Sequence, residues 1–161
     1  RMVYEEADVM PYYRRILSED EGMDRDLVET KLESLRRCIE RIAGKTPSSV
    51  DQLVRDPDVQ DIIALNLQRA IQLSVDVAAH LIAETDAAPP STMAENFEIL
   101  QKLQIIDPVL AERLTKAVGF RNIAVHSYQA INWNVVYQIC RHHLDDFRQF
   151  TKSVVHHLQR V

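Results

Sequence analysis

Hydrophobic residues recur along most of this chain at intervals of three and four, which is the spacing of an amphipathic α-helix. The first such segment begins near Asp24 and ends at Gly44, with Pro47 just beyond it. Its apolar face carries Val28, Leu32, Leu35, Ile39 and Ile42. The chain shows no strand-like alternation of any length and has only 3 glycines and 6 prolines, so helices are predicted rather than a sheet.

A second and longer helix is predicted after Asp56-Pro57, because an aspartate cap followed by proline at the first helical position is a typical helix start. The connection before it, residues 48–51, is polar. The helix ends near Glu84, and its wide apolar stripe predicts a central helix that contacts several neighbours. The stripe comprises Ile62, Ile63, Asn66, Leu67, Ala70, Ile71, Ser74, Ala78, Leu81 and Ile82.

Three further helices are predicted in the second half of the chain. A short one begins at the capping box Thr92-Met-Ala-Glu95, where each residue can satisfy the backbone N–H of the other. The next begins at Asp107-Pro108, and the last begins after Asn132. The last helix is predicted to be continuous, with Val136, Cys140, His143, Phe147, Phe150, Val154 and His157 along one face.

These segments predict an all-α fold, an antiparallel helical bundle with four main helices and a shorter one. We assign residues 23–161 to this domain. Residues 1–22 are an N-terminal extension, part of which need not belong to the natural chain, with a short helix predicted near Tyr12 to Leu17. No apolar run approaches the roughly 20 residues that cross a membrane, and no basic-then-apolar leader is present, so we expect a cytoplasmic protein. Cys38 and Cys140 match no metal-binding spacing and are expected to be buried thiols.

Charge is distributed unevenly along the chain. The net charge is −5, but residues 101–161 hold 8 basic and 4 acidic residues, which leaves −9 for residues 1–100. Five of the 6 histidines also lie after residue 100. This asymmetry indicates an anionic ligand near the C-terminal half, although charges that alternate around solvated helix faces explain it equally well.

The stretch GFRNIAVHSY, residues 119–128, collects the groups that could act on such a ligand. Each residue of a helix turns by about 100°, so Asn122 and His126 share a face and Arg121 neighbours it. The three side chains can converge if the helix ends or loosens near Val125. A guanidinium holds phosphate oxygens and an imidazole moves a proton, which together suit phosphodiester cleavage. RNA supplies its own nucleophile, the 2′-hydroxyl, so no metal, cofactor or protein nucleophile is needed.

The residues alone leave a plainer alternative open, a histidine at a helix end beside a surface arginine. Transfer through the 2′-hydroxyl needs one base and one acid, whereas the motif has one histidine. A twofold homodimer that presents two copies of the motif to one cleft would supply both groups. Gly119 leaves room for the close approach of a partner's backbone.

Other charged residues lie outside this stretch. Arg113 and Lys116, which precede the motif on the same helix, are candidates for binding RNA phosphates. Asp76 of the central helix is expected to be an ordinary surface or hydrogen-bonded aspartate, with an approach to the motif as the alternative. The histidine pairs 142–143 and 156–157 lie about 21 Å apart on one predicted helix, so they cannot share an ion, and no metal site is expected.

The segment Arg121–Tyr128 resembles the Arg-x4-6-His signature of the HEPN superfamily. The tyrosine two residues after the histidine resembles the HepT-like branch, the toxins of HEPN–MNT toxin–antitoxin pairs. The segments DLVETKLESLRRCIERI, ALNLQRAIQLSVDVAAHLIAE and HHLDDFRQF resemble the first, second and last helices of those proteins. The resemblance therefore covers about residues 23–160 in order.

The resemblance implies a HEPN bundle that forms a homodimer and cleaves RNA without a metal. Arg121 and His126 would be the catalytic pair, with Asn122 in support. The implied partner is a minimal nucleotidyltransferase (MNT) antitoxin encoded beside the toxin, which would transfer AMP from ATP to Tyr128 and so silence it. The alternative function is a non-catalytic helical interaction module that docks a nucleotidyltransferase partner.

Overall fold

The computed structural model describes residues 21–161, with side chains from residue 25 onward. In this part of the chain there are four long helices and three short ones, and no strand. The helices are α1 (Glu21–Lys45), α2 (Val50–Arg55), α3 (Pro57–Ala83), α4 (Glu95–Lys102), α5 (Pro108–His126), α6 (Trp133–His142) and α7 (Leu144–Arg160), with a 3₁₀ turn at Tyr128–Ala130. The predicted all-α fold is confirmed, while the helix predicted near Tyr12 to Leu17 lies outside the described residues.

Helix α3 occupies the centre of the bundle, as its wide apolar stripe predicts. It packs against α1, α2, α4, α5 and α7. Two buried polar residues in this stripe are satisfied within the helix: Asn66 Nδ2 donates to the Ile62 carbonyl at 2.8 Å, and Ser74 Oγ donates to the Ala70 carbonyl at 2.8 Å. Bonding to the preceding turn gives each of these side chains a hydrogen-bond partner within the helix.

The predicted helix starts are confirmed at three positions. Asp56 Oδ1 accepts from the Val59 N–H at 3.2 Å at the start of α3, and Asp107 Oδ1 accepts from the Leu110 N–H at 2.7 Å at the start of α5. Asn132 Oδ1 accepts from two N–H groups of α6. Each cap satisfies a donor that the first turn of a helix leaves unpaired. These caps fix where α5 and α6 begin on either side of the candidate site.

Only one of the two hydrogen bonds predicted for the capping box at the start of α4 is present. The Glu95 N–H donates to Thr92 Oγ1 at 3.1 Å, as expected. The Glu95 carboxylate reaches one residue further back, however, and accepts from the hydroxyl of Ser91 at 2.7 Å and from its N–H at 3.3 Å. In the predicted box the carboxylate would accept only the backbone N–H of Thr92, whereas here it accepts both a hydroxyl and an N–H. These two hydrogen bonds from Ser91 lower the pKa of Glu95.

The prediction of one continuous last helix is wrong, because the chain breaks at His143 into α6 and α7. His143 is exposed and Leu144 takes the buried position that the pattern assigns to the histidine. Asp145 and Asp146 stand in the first turn of α7, where negative charge favours a helix N-terminus. The buried spacing from Val136 through Leu144 continues across the break, so hydrophobic periodicity alone did not reveal it.

Two further expectations concern the polar connection and the cysteines. The connection at residues 48–51 contains the start of α2, where Ser49 Oγ accepts from the Gln52 N–H at 3.3 Å. Cys38 and Cys140 are buried free thiols, as predicted. Among the described helices, none is long and apolar enough to span a bilayer.

Candidate active site at the end of helix α5

The backbone changes direction immediately after the motif histidine. Helix α5 remains regular through His126, and the Ser127 N–H still donates to the Ile123 carbonyl at 2.8 Å. The Ala130 N–H then donates to the Ser127 carbonyl at 2.8 Å and closes the 3₁₀ turn. The helix therefore ends one residue later than the Val125 position at which the sequence suggested loosening, and His126 stands at its end.

An exposed stripe runs along α5 toward this end. Gly119, Asn122 and His126 are spaced by three and four residues, so they lie on one side of the helix. All three are exposed. A methyl group built at Gly119 would meet no atom within 4 Å. This side of α5 is therefore open to a large ligand or a second protein.

The half-buried Arg121 begins from a different side of α5. Its Cα–Cβ bond points about 140° around the helix axis from that of His126. Its Nη1, however, donates to Asn122 Oδ1 at 3.3 Å. Since Asn122 is only about 40° from His126 on the helical wheel, this bond draws the guanidinium toward the exposed stripe. Arginine, amide and imidazole thus occupy the last two turns of one helix.

Tyr128, the first residue of the 3₁₀ turn, is held by two neighbours from other helices. Its ring packs edge-on against Trp133 of α6, with centroids 6.0 Å apart and planes at 64°. Its hydroxyl donates to Asp61 Oδ1 of α3. Burial, followed by the hydrogen bond and the charge of Asp61, raises the pKa of Tyr128 well above its usual value, so the phenol is neutral near pH 7. Tyr128 as a whole still keeps 37% of its surface exposed.

A family model described as ribonuclease HepT-like matches residues 35–154, three quarters of the chain. The chain belongs to the ribonuclease HepT-like family. It is 36% identical to the mRNA nuclease HepT of Shewanella oneidensis over 125 residues, which span 78% of this chain and 93% of that protein. It is 27% identical to the tRNA nuclease HepT of Aphanizomenon flos-aquae over 128 residues, 80% of this chain and 87% of that one. Membership makes this chain an enzyme of the ribonuclease class.

A solved structure extends the comparison to three dimensions. The tri-AMPylated Shewanella oneidensis HEPN toxin, solved in complex with an MNT antitoxin, superposes with a TM-score of 0.77 at 34% identity. The match covers 81% of this chain and 98% of that toxin. The predicted resemblance to the HepT-like branch of HEPN proteins is therefore confirmed.

Beside the exposed stripe, the HepT-like chain has a largely apolar groove of about 630 Å³ between α5, the 3₁₀ turn, α6 and the start of α7. Phe120, Ile123, Val135 and Ile139 form much of its wall, and Gly119 also lines it. Ile123 and Val135 are exposed despite being large and apolar. Ile123 lines the groove but Arg121 and His126 do not, so the groove adjoins these two residues without containing them.

The two predicted phosphate ligands differ in how firmly they are paired. Arg113 Nη1 contacts Asp146 Oδ1 at 3.2 Å, and that carboxylate belongs to a residue only 7% exposed. His143 Nδ1 lies 3.4 Å from the other oxygen of Asp146. Lys116 pairs with Glu112 at 3.2 Å, and both side chains are well exposed. An exposed pair of this kind is worth little, so Lys116 exchanges partners more readily than Arg113 does.

Asp76, the other carboxylate weighed from the sequence, has partners away from the motif. It accepts from Gln72 Nε2 at 2.9 Å and lies 3.5 Å from Lys31 Nζ of α1. The plainer interpretation, a hydrogen-bonded aspartate, therefore accounts for it. Across the part of the chain that the structure describes, no group of three or more His, Cys, Asp or Glu residues is placed to hold a metal ion.

Sequence reasoning missed Asp61. It precedes Tyr128 by 67 positions, and an exposed aspartate in the second turn of a helix carries no local signal of a role. Only the packing of α3 against the end of α5 brings the carboxylate to the phenol.

Proposed function

We propose that this HepT-like protein is the toxin of a toxin–antitoxin pair, a metal-independent endoribonuclease that works as a homodimer. Arg121 and His126 are its catalytic residues, and Asn122 supports them. A nucleotidyltransferase antitoxin silences it by transferring AMP to Tyr128. The observation that carries the proposal is the bond from Arg121 Nη1 to Asn122 Oδ1, which turns the guanidinium toward the exposed side of α5 that ends in His126.

The proposed cleavage uses the 2′-hydroxyl of RNA as the nucleophile. Its oxygen attacks the adjacent phosphorus, and the bond from phosphorus to the 5′-oxygen of the next nucleotide breaks. An imidazole removes the proton from the 2′-hydroxyl, and a second imidazole protonates the leaving 5′-oxygen. Arg121 stabilises the negative charge that builds on the phosphoryl oxygens, while Asn122 holds the guanidinium in place.

The need for two proton-transfer groups supports the homodimer, since each protomer has one motif histidine. The open space at Gly119 lets a second backbone come close to α5. The neighbouring groove offers apolar area, including exposed Ile123 and Val135, which a partner protomer can cover. Two copies of His126 would then face one cleft.

The solved Shewanella complex supports the antitoxin and the modification, because there an AMPylated HEPN toxin is bound to an MNT protein. In this chain Tyr128 is exposed and stands two residues after His126, so we propose it as the acceptor. The added adenylyl group places bulk and negative charge where the RNA phosphate must bind. Lys116 and Arg113 are the proposed phosphate ligands, and Lys116 is the freer of the two.

The catalytic assignment is tested by incubating RNA in EDTA with purified wild-type protein, His126→Ala or Arg121→Ala. His142→Ala is the matched control, because it removes another exposed imidazole, at the end of α6. We expect the wild type and the control to cleave, and the two motif variants to lose about 100-fold or more of the rate. Wild-type rates in His126→Ala, or complete inhibition by EDTA, would contradict the proposal. Absent cleavage with retained antitoxin binding would favour the interaction module.

The shared cleft is tested by mixing wild-type protein with an excess of His126→Ala protein. A mixed dimer holds one motif imidazole instead of two, so the rate per wild-type chain should fall as the variant is added. A rate that stays constant while mixed dimers form would show that each protomer cleaves RNA alone.

A further inference from the structure

The contact between Tyr128 and Asp61 has no part in the proposed RNA cleavage. Asp61 is exposed in the second turn of α3, and its Oδ1 accepts the hydrogen bond of the Tyr128 hydroxyl. The edge-on contact with Trp133 also holds the phenol ring. The phenol oxygen is therefore presented in one orientation, with its proton directed at a carboxylate.

We propose that Asp61 is a catalytic residue for AMP transfer, the group that accepts the proton of the Tyr128 hydroxyl. The inference rests on the proposed modification of Tyr128. It assigns the proton acceptor to the protein that receives AMP, while the nucleotidyltransferase supplies the bound nucleoside triphosphate.

The step balances as a phosphoryl substitution. The Tyr128 oxygen attacks the α-phosphorus of ATP and forms the new P–O bond. The bond from that phosphorus to the oxygen bridging to the β-phosphorus breaks, and pyrophosphate leaves with the electron pair. The phenol proton passes along the existing hydrogen bond to the Asp61 carboxylate.

The environment of the phenol explains why a proton acceptor is needed. Burial and the neighbouring carboxylate raise the pKa of Tyr128, so almost no phenolate is present before the attack. The proton must leave as the P–O bond forms, because otherwise the attacking oxygen would carry a positive charge. Asp61 is the carboxylate already bonded to that proton, so no rearrangement of the toxin is required.

The product no longer supports this contact. Once AMP is attached, the Tyr128 oxygen has no proton to donate, and the phosphate brings negative charge next to the Asp61 carboxylate. The bond that ties the 3₁₀ turn to α3 is then lost. Once the proton has left Asp61 for solvent, the carboxylate has none to return to the Tyr128 oxygen, which hinders the reverse reaction.

The experiment measures the rate of AMP addition by intact mass, using full-length protein, the nucleotidyltransferase encoded beside it and ATP with Mg²⁺. The variants are Asp61→Asn, Asp61→Ala and the matched control Asp58→Asn, which removes one exposed carboxylate from the first turn of α3. Tyr128→Phe identifies the acceptor. The fluorescence of Trp133, the only tryptophan, reports whether the turn keeps its structure in each variant.

We expect Asp61→Asn and Asp61→Ala to lose about 100-fold or more of the rate, and Asp58→Asn to match the wild type. Asparagine keeps an oxygen that can accept the hydrogen bond but cannot take the proton. A wild-type rate in Asp61→Asn therefore overturns the proposal, even if Asp61→Ala is slow, because Asp61 would then only position the phenol. Wild-type protein that gains no AMP at Tyr128 overturns this inference together with the proposed modification. If the wild type does gain AMP at Tyr128, the rates of the Asp61 variants test the role of Asp61 alone.

Discussion

Replacing Gly119 by alanine should stabilise the isolated protomer and weaken its dimer. Gly119 lies inside α5, no glycine among the described residues has a positive φ, and an added methyl group meets no atom within 4 Å. The alanine variant should therefore have a free energy of unfolding about 0.4–1 kcal/mol higher than the wild type, because alanine restricts the unfolded chain without strain in the helix. For a domain of this size that gain corresponds to a rise in Tm of about 1–4 °C.

Thermal unfolding at protein concentrations where the protomer predominates measures the first effect, and sedimentation across a concentration series measures the second. Gly44→Ala is the matched control, since its added methyl group also meets no atom within 4 Å but Gly44 lies in the last turn of α1. Both variants should unfold at higher temperature than the wild type. Only Gly119→Ala should raise the dimer dissociation constant, because its methyl group would occupy the space that the partner backbone needs.

Two results would refute this reasoning separately. A lower Tm for the Gly119→Ala protomer would mean that the space around Gly119 is already filled in the single chain. A higher Tm with a dimer dissociation constant equal to that of Gly44→Ala would mean that the partner does not approach α5 at this position. The second result would remove the main structural support for a cleft built around the stripe of Gly119, Asn122 and His126.

Two other predictions concern stability and reactivity. Asp146→Ala should lower the free energy of unfolding by about 1.5–3 kcal/mol, because it removes a buried carboxylate that bonds the Arg113 guanidinium; an unchanged urea midpoint would contradict this. Burial raises the pKa of the Cys140 thiol to about 11 and raises that of Cys38, although the Thr46 hydroxyl lowers the former and Arg69 the latter. A thiol reagent should therefore label both cysteines far more slowly in native protein than in urea, and equal rates would count against the buried core.

Local signals in the sequence were enough for most of the helical framework. The Asp-Pro pairs at residues 56–57 and 107–108 predict the starts of α3 and α5, because a side-chain cap and a fixed proline φ act within one turn. The break at His143 was not predictable in the same way. The apolar residues keep their helical spacing across it, and the ion pair of the buried Asp146 with the exposed Arg113 involves residues 33 positions apart.

In the candidate site too, some features follow from local sequence and others depend on the tertiary structure. Arg121, Asn122 and His126 are close in sequence, so helical geometry alone places them within two turns of each other. The position of the Arg121 guanidinium depends on a rotamer and a hydrogen bond to Asn122, which spacing does not determine. The partner of Tyr128 depends on how α3 packs against the end of α5, and only the tertiary structure provides Asp61.

The position of Tyr128 decides how the proposed modification would act. Two residues of chain span at most about 7 Å, so an adenylyl group on Tyr128 would be attached close to His126. Inhibition then needs no second conformation and no relay through the bundle, which sets it apart from an allosteric mechanism with two global states. If the cleft is shared between protomers, one adduct obstructs the RNA site of both motifs. Further adducts would then add charge and bulk to a cleft that the first has already closed.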